Sequence, residues 1–158
     1  TDLKLIAVGK NKDKALQSLE KEYIKRLGAF TKMEVIEVRD EANDHADRPA
    51  EAELIKDKEG KRVLEKIRDN DFVILLDLHG SMESSESFAK KMDEWLTRSS
   101  SLVFVIAGSL GPGHEVLRRA NVRWKLSDLT FTHLMTRILV LEQVYRAYMI
   151  NNNRSYHK

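Results

Sequence analysis

Two uninterrupted apolar runs, FVILL at residues 72–76 and LVFVI at residues 102–106, constrain the fold more than any other feature of the sequence. Both are continuous rather than alternating, and both are rich in β-branched and aromatic residues. Strands of this composition are buried on both faces, as in a parallel sheet. Three further apolar runs, at residues 3–8, 33–38 and 124–126, complete a predicted set of five strands.

Stretches with helical periodicity separate these strands. Predicted helices cover residues 12–27, 50–68, 87–97 and 134–150, with Ser84 or Ser85 as the N-cap of the third. This alternation predicts an α/β fold with a mostly parallel sheet and helices on both faces. The last helix is apolar over most of its surface and therefore needs burial from more than one side, which a subunit interface would supply.

Composition narrows the classes of protein that need to be considered. The 158 residues, 42% hydrophobic and 33% charged, predict one globular domain over residues 1–158. The absence of cysteine excludes disulfides, thiolate metal sites and cysteine nucleophiles. No apolar run approaches the roughly 20 residues that span a membrane, and the histidines show no metal-ligand spacing. We therefore expect a cytoplasmic protein without metal, and a flexible loop at residues 40–49.

Three segments follow predicted strands and are candidates for a ligand site. They are LDLHG at residues 76–80, AGSLGPG at residues 107–113 and SDLTFTH at residues 127–133. Ligands of open α/β sheets bind beyond the carboxyl ends of the strands, where these segments would converge. The glycine spacing G-x-x-G-x-G matches neither a dinucleotide fingerprint nor a P-loop. Its glycines serve either a strand-to-helix turn or the close approach of a ligand.

Several charged residues have both a structural and a functional interpretation. His133 could act as a base or bond the start of the last helix. Arg137 and Arg146 lie on an apolar helix, where arginine either binds an anion or forms an ion pair, here with Glu142. A basic run is either a solvated face or a phosphate contact; its members are Arg118, Arg119, Arg123 and Lys125.

Sequence motifs along nearly the whole chain resemble the RlmH family of SPOUT methyltransferases. They are LIAVGK at residues 5–10, DKEG at 57–60, VFVIAGSLG at 103–111, LSDLTFTH at 126–133, LEQVYRAYMI at 141–150 and the closing YHK. The resemblance implies a SPOUT-type α/β domain with a C-terminal trefoil knot, and a homodimer with its site at the interface. It also implies S-adenosylmethionine as cofactor and methylation of a pseudouridine at N3 in 23S rRNA of assembled ribosomes.

The same resemblance assigns roles to individual residues. The positions that match the cofactor pocket are Leu76, Gly108, Ser127, Asp128, Leu129, Thr130, Phe131 and Thr132. Since N3 of the target base carries a proton that must leave, a base is expected. We predict His133 or His157 for that role. Arg146 would stabilise charge on the substrate, and Arg154 and Tyr156 would bind it.

Two alternative interpretations stay open at this point. Ala107, Thr132 and Leu134 stand where the family usually has glycine, proline, and proline or glutamine. These departures favour a folded but inactive or engineered relative that serves as a binding module or scaffold. The α/β pattern by itself would also suit an unrelated flavodoxin-like binder of nucleotides or phosphate, which would be a monomer.

Overall fold

The predicted strands form one parallel sheet in the computed structural model, which describes residues 2–42 and 47–158. Their order is β2-β1-β4-β3-β5, and every neighbour pair is parallel. The bounds are β1 (Asp2–Val8), β2 (Lys32–Val38), β3 (Phe72–Ser81), β4 (Ser101–Ile106) and β5 (Val122–Trp124). The parallel sheet is thereby confirmed. The fifth strand lies two residues earlier than predicted.

Helices cover both faces of this sheet, as predicted. One face carries α1 (Lys14–Leu27), α3 (Ser85–Arg98) and α5 (His133–Asn151), and the other carries α2 (Pro49–Leu64) and α4 (His114–Arg119). Alternation along the strands separates the two cores. Leu5 faces the first core and Ile6 the second. The short helix α4 was not predicted, because six residues are too few to show a helical period.

Side-chain caps fix where α3 and α5 begin. The Oγ atom of Ser84 accepts a hydrogen bond from the Ser87 N–H at 3.0 Å, which confirms one of the two predicted N-caps of α3. The Thr132 hydroxyl oxygen accepts from the Met135 N–H at 3.3 Å. Helix α5 therefore begins at His133, one residue earlier than predicted.

A buried arginine ties α5 to the carboxyl ends of β1 and β2. Arg137 is 1% exposed and donates to Oε2 of Glu37 at 2.6 Å and to the Gly9 carbonyl at 2.8 Å. Burial would raise the pKa of Glu37, but hydrogen bonds from Arg137 and the Asn11 N–H bring that pKa below its ordinary value. The predicted partner Glu142 is thus wrong for Arg137.

The sequence also predicts a chain without a membrane-spanning helix or a metal site, and a flexible loop at residues 40–49. None of the described helices is long and apolar enough to cross a membrane. Within residues 2–42 and 47–158, no group of three histidine or acidic side chains is placed to hold a metal ion. Residues 43–46 of the predicted flexible loop lie outside the described residues. The trefoil knot stays a prediction.

Candidate active site

A cavity of about 550 Å³ lies at the carboxyl ends of β3, β4 and β5. The three segments singled out in the sequence all line it, so their predicted convergence is confirmed. Its volume falls within the roughly 300–1,000 Å³ typical of sites for small molecules and cofactors. The cavity is therefore the candidate ligand site.

The first segment belongs to β3 rather than to a loop after it, which corrects the sequence prediction. Leu76 pairs with Trp124 of β5, and Ser81 pairs with the same residue, so the residues between them bulge out of the ladder. Gly80 lies against β5 inside this bulge, and a Cβ there would sit 2.6 Å from the carbonyl carbon of Arg123. Glycine is thus required for the two strands to approach each other.

The second segment is shaped by a buried carboxylate. A Cβ at Gly108 would lie 2.5 Å from Oε1 of Glu59, a residue of α2 that is 6% exposed. The other oxygen, Oε2, accepts from the Glu41 N–H at 3.0 Å, and burial raises the pKa of Glu59 above its ordinary value. In this structure Gly108 makes room for Glu59, while Gly111 takes the left-handed φ of 91° that closes the turn.

This packing predicts a specific energetic coupling. We expect Gly108→Ala to lower the free energy of unfolding by about 1–3 kcal/mol, because the new methyl group overlaps Oε1 of Glu59. Glu59→Ala removes that overlap, so the double variant should be more stable than the sum of the single effects predicts. Urea unfolding of all four proteins measures the coupling. Strict additivity would show that Glu59 is not the residue that requires glycine at position 108.

The third segment presents part of its predicted residues to the cavity. Ser127, Leu129, Thr130 and Phe131 line it. The Asp128 carboxylate instead lies 2.5 Å from Nζ of Lys125, and the Thr132 hydroxyl caps α5. Cofactor contacts from Asp128 and Thr132 would therefore come from their backbone atoms.

The three predicted catalytic residues lie in two places. His133 lines the cavity at the first residue of α5. Arg146 lies thirteen residues further along the same helix, a distance of about 20 Å at the rise of an α-helix. His157 is next to Arg146. Within one chain, the structure brings Arg146 and His157 together and leaves His133 apart from both.

Arg146 and His157 belong to what we call the tail cluster, which comprises Glu142, Arg146, Tyr156 and His157. Arg146 Nη1 lies 3.1 Å from Nδ1 of His157, and Arg146 Nε donates to Glu142 Oε1 at 3.0 Å. The hydroxyl of Tyr156 donates to Glu142 Oε2 at 2.8 Å. Burial and this bond raise the pKa of the Tyr156 phenol far above its ordinary value, so it stays protonated. The predicted ion pair with Glu142 is correct for Arg146.

The remaining predicted residues are more exposed. Arg154 is exposed, with its guanidinium carbon 5.4 Å from the ring centroid of Phe30. The basic run does not form one face. Arg119 donates to main-chain carbonyls of Arg68 and Asp71, whereas Arg123 lines the cavity. Arg118 pairs with Glu115, and Lys125 also lines the cavity.

Two acidic residues near the cavity lie in segments that the sequence analysis quoted, LDLHG and DKEG, but were given no role there. Asp77 is 8% exposed and lines the cavity, and its Oδ2 atom has no hydrogen-bond partner among the described residues. Glu59 packs against Gly108 as described above. The sequence signal for each is weak. An acid directly after an apolar run, or within a predicted helix, is rarely buried unless it is paired or binds a ligand, but the sequence does not show that it is buried.

Comparisons with known proteins settle the family. The family model described as "Predicted SPOUT methyltransferase" matches residues 1–157. This chain belongs to the SPOUT methyltransferases. It is 47% identical over 158 residues to Ribosomal RNA large subunit methyltransferase H of Clostridioides difficile (strain 630) and 45% identical to that of Ligilactobacillus salivarius (strain UCC118). Each match covers 99% of this chain and 99% of the relative.

A solved structure gives independent support for the fold of this SPOUT chain. A probable methylase family protein from Haemophilus influenzae Rd KW20 superposes with a TM-score of 0.57 at 12% identity. The likeness covers 96% of this chain and 66% of that chain, so this chain spans about two thirds of that structure's length. The predicted SPOUT-type architecture is confirmed, and the flavodoxin-like alternative is wrong.

S-adenosylmethionine is the methyl donor of SPOUT methyltransferases, which confirms the predicted cofactor. The cavity fits such a ligand on two counts. Its volume of about 550 Å³ is suitable for a nucleoside with an amino-acid side arm. The unpartnered oxygen of Asp77 offers a buried acceptor to a ligand with N–H or O–H donors.

Proposed function

We propose that this chain transfers a methyl group from S-adenosylmethionine to N3 of a pseudouridine in 23S rRNA of assembled ribosomes, in the cytoplasm. The observation that carries the proposal is the full-length similarity to Ribosomal RNA large subunit methyltransferase H, at 42–47% identity for the relatives compared. The cavity at the carboxyl edge of the sheet supports it, because it offers a place for the methyl donor.

The reaction requires the protein to position the methyl carbon and to remove the N3 proton. The cofactor supplies a methyl group on a sulfonium, so the cavity must hold that carbon in line with the attacking nitrogen. The N3 proton must leave, and the electron pair it leaves behind would form the new N–C bond while the bond between the methyl carbon and sulfur breaks, so that S-adenosylhomocysteine leaves as a neutral thioether. We assign proton removal to His157. Its Nε2–H donates to Oε1 of Glu86 at 2.6 Å, which leaves Nδ1 as the basic nitrogen, and Arg146 Nη1, now 3.1 Å from Nδ1, would turn to the substrate as Nδ1 accepts the proton. Arg146 would stabilise negative charge that develops on the base.

A homodimer would bring the cavity of one subunit next to the tail cluster of the other. The tail cluster lies about 20 Å along α5 from the cavity, given the helical rise, so a second copy is needed to carry a tail cluster to each cavity. Four large apolar side chains near the cavity mouth are exposed in the single chain and would be covered by such a partner. They are Leu78, Leu129, Phe131 and Met135, with exposures of 67%, 71%, 37% and 39%.

Oligomeric state is therefore the first property to measure. Sedimentation velocity should give a dimer over the concentration range used for activity. A protein that remains monomeric, yet methylates ribosomes, would contradict the two-subunit site.

Methyl transfer itself is tested with tritium-labelled cofactor. We expect label to enter ribosomes from a strain that lacks the modification, and to enter ribosomes that already carry it far less. Mass spectrometry of nucleosides from the labelled RNA should identify N3-methylpseudouridine. Unlabelled ribosomes under every condition, with cofactor binding intact, would favour the inactive relative.

One departure from the family pattern is compatible with activity. Thr132 replaces the usual proline, which frees a backbone N–H, yet its side chain caps α5 by accepting from the Met135 N–H. The cap holds the loop at the start of α5 without proline. The replacement at position 132 is therefore no reason to prefer a scaffold over an active enzyme.

A further inference from the structure

Asp77 is a buried acid whose charge is only partly compensated by the described residues. Its side chain is 5% exposed, and Oδ1 accepts from the His79 N–H at 2.9 Å. Oδ2 has no hydrogen-bond partner among those residues. The Nε atom of Arg123 lies 3.7 Å from it, which is too long for a hydrogen bond. A buried carboxylate oxygen without a donor is unfavourable, so a donor from a ligand would stabilise it.

Asp77 and Arg123 present opposite charges to the same cavity. Both residues line it, and the Arg123 side chain is 48% exposed and free to turn toward a ligand. A carboxylate next to a guanidinium is complementary to a zwitterion, in which an ammonium and a carboxylate are attached to one carbon. The amino-acid end of S-adenosylmethionine is such a group.

Other donors on the cofactor fit Asp77 less well. Ribose hydroxyls and the adenine amino group are neutral, and neutral donors form weaker bonds to a carboxylate than an ammonium does. The sulfonium carries no N–H. A carboxylate beside it would also stabilise a charge that disappears in the transition state, which would slow methyl transfer.

We propose that Asp77 accepts a hydrogen bond from the α-ammonium group of S-adenosylmethionine, while Arg123 binds the carboxylate of the same amino-acid end. The assignment rests on the proposed function, because it takes this cofactor as the ligand of the cavity. It makes Asp77 and Arg123 a recognition pair for the amino-acid end, separate from the loops that contact the nucleoside.

Three ligands distinguish the parts of the cofactor. S-adenosylmethionine has the sulfonium and the amino-acid end, S-adenosylhomocysteine has only the amino-acid end, and 5′-methylthioadenosine has neither. Calorimetric titration of Asp77→Asn and Arg123→Gln should show affinity for the first two ligands reduced by about tenfold or more. Affinity for 5′-methylthioadenosine should equal that of the unmodified protein, which also shows that the cavity is intact. Asp93→Asn, an exposed acid of α3, is the matched control for the loss of one negative charge.

Each other outcome is informative. Equal losses for all three ligands would place the contact of Asp77 at the nucleoside. A loss confined to S-adenosylmethionine would place Asp77 beside the positive charge of the sulfonium. Either result overturns the proposal, as does unchanged affinity. An unmodified protein that binds none of the three ligands overturns the proposed function as well. If Asp77→Asn does not fold, the unmodified protein is titrated instead with the deaminated analogue of S-adenosylhomocysteine, which lacks the α-ammonium group. The unmodified protein should bind that analogue about tenfold more weakly, and equal affinity would overturn the proposal.

Discussion

Gly80→Ala is expected to destabilise the protein by about 3 kcal/mol and to abolish cofactor binding. The new Cβ would lie 2.6 Å from the Arg123 carbonyl carbon and 2.8 Å from the Trp124 backbone nitrogen. These are main-chain atoms, so no side chain can turn away, and β5 must separate from β3. For a chain of this length the midpoint of thermal unfolding should fall by roughly 10 °C. Calorimetry with S-adenosylmethionine measures the accompanying loss of binding.

Gly60→Ala provides the matched control for this change. Its Cβ would approach Cγ2 of Val116 at 3.2 Å, a side-chain atom, and the residue lies within α2. Alanine favours the helix by about 1 kcal/mol, which offsets the tight contact. The unfolding midpoint should therefore change little. If both variants lost the same stability, backbone approach at Gly80 would not be the cause.

Arg146→Ala is expected to reduce methyl transfer by about 10²–10³-fold while cofactor affinity stays unchanged. Cofactor affinity should not change because Arg146 lies in the tail cluster with Glu142 and His157 and does not line the cavity. Single-turnover transfer of tritium to ribosomes measures the rate, and calorimetry measures the affinity. A parallel loss of affinity would place Arg146 in the cofactor site instead.

The matched control is Arg26→Ala. Arg26 also lies four residues after a glutamate on a helix and pairs with it, here Glu22, but both side chains are more than 40% exposed. Removing an exposed pair of this kind should leave both the unfolding midpoint and methyl transfer essentially unchanged, because solvent screens the two charges. Similar rate losses in both variants would show that a general loss of positive charge, and not the tail cluster, limits the reaction.

Mixing subunits tests whether the tail cluster acts across the dimer. A heterodimer of one Gly80→Ala subunit, whose cavity is expected not to bind the cofactor, and one Arg146→Ala subunit contains one site with an intact cavity and an intact partner tail. Co-expressed heterodimers should therefore transfer methyl groups much faster than the Arg146→Ala homodimer, whereas the Gly80→Ala homodimer should be inactive because it does not bind the cofactor. Heterodimers as inactive as both parents would show that each tail cluster serves its own chain.

The sheet was predictable from sequence because strands that are buried on both faces consist almost entirely of apolar residues. FVILL and LVFVI have no polar residue to place toward solvent, and their shortness and β-branched or aromatic residues favour interior strands over buried helices. The convergence of three segments on one cavity followed from the rule for carboxyl ends of parallel strands. The boundaries were less predictable. The strand pairing of Ser81 and the short helix α4 depend on tertiary contacts with no local period.

The interior of the site was less accessible to sequence reasoning. Glu59 and Gly108 are 49 positions apart, and nothing local indicates that a carboxylate fills the space where a side chain would be. The separation of His133 from Arg146 is a different case. His133 directly precedes the predicted last helix and Arg146 lies within it, so the helical rise by itself sets a distance between them that is too long for one site.

The loop at Gly108 has a consequence beyond the cofactor cavity. Gly108, Ser109, Leu110 and His133 line that cavity and also a second one of about 240 Å³, on whose wall Glu59, Glu41 and Arg137 lie. The two cavities are therefore neighbours that share part of their lining. A ligand in the larger cavity would contact the same residues that face Glu59, Glu41 and Arg137 in the smaller one. Substitutions in the smaller space should alter ligand exchange in the larger one, although they never touch the ligand.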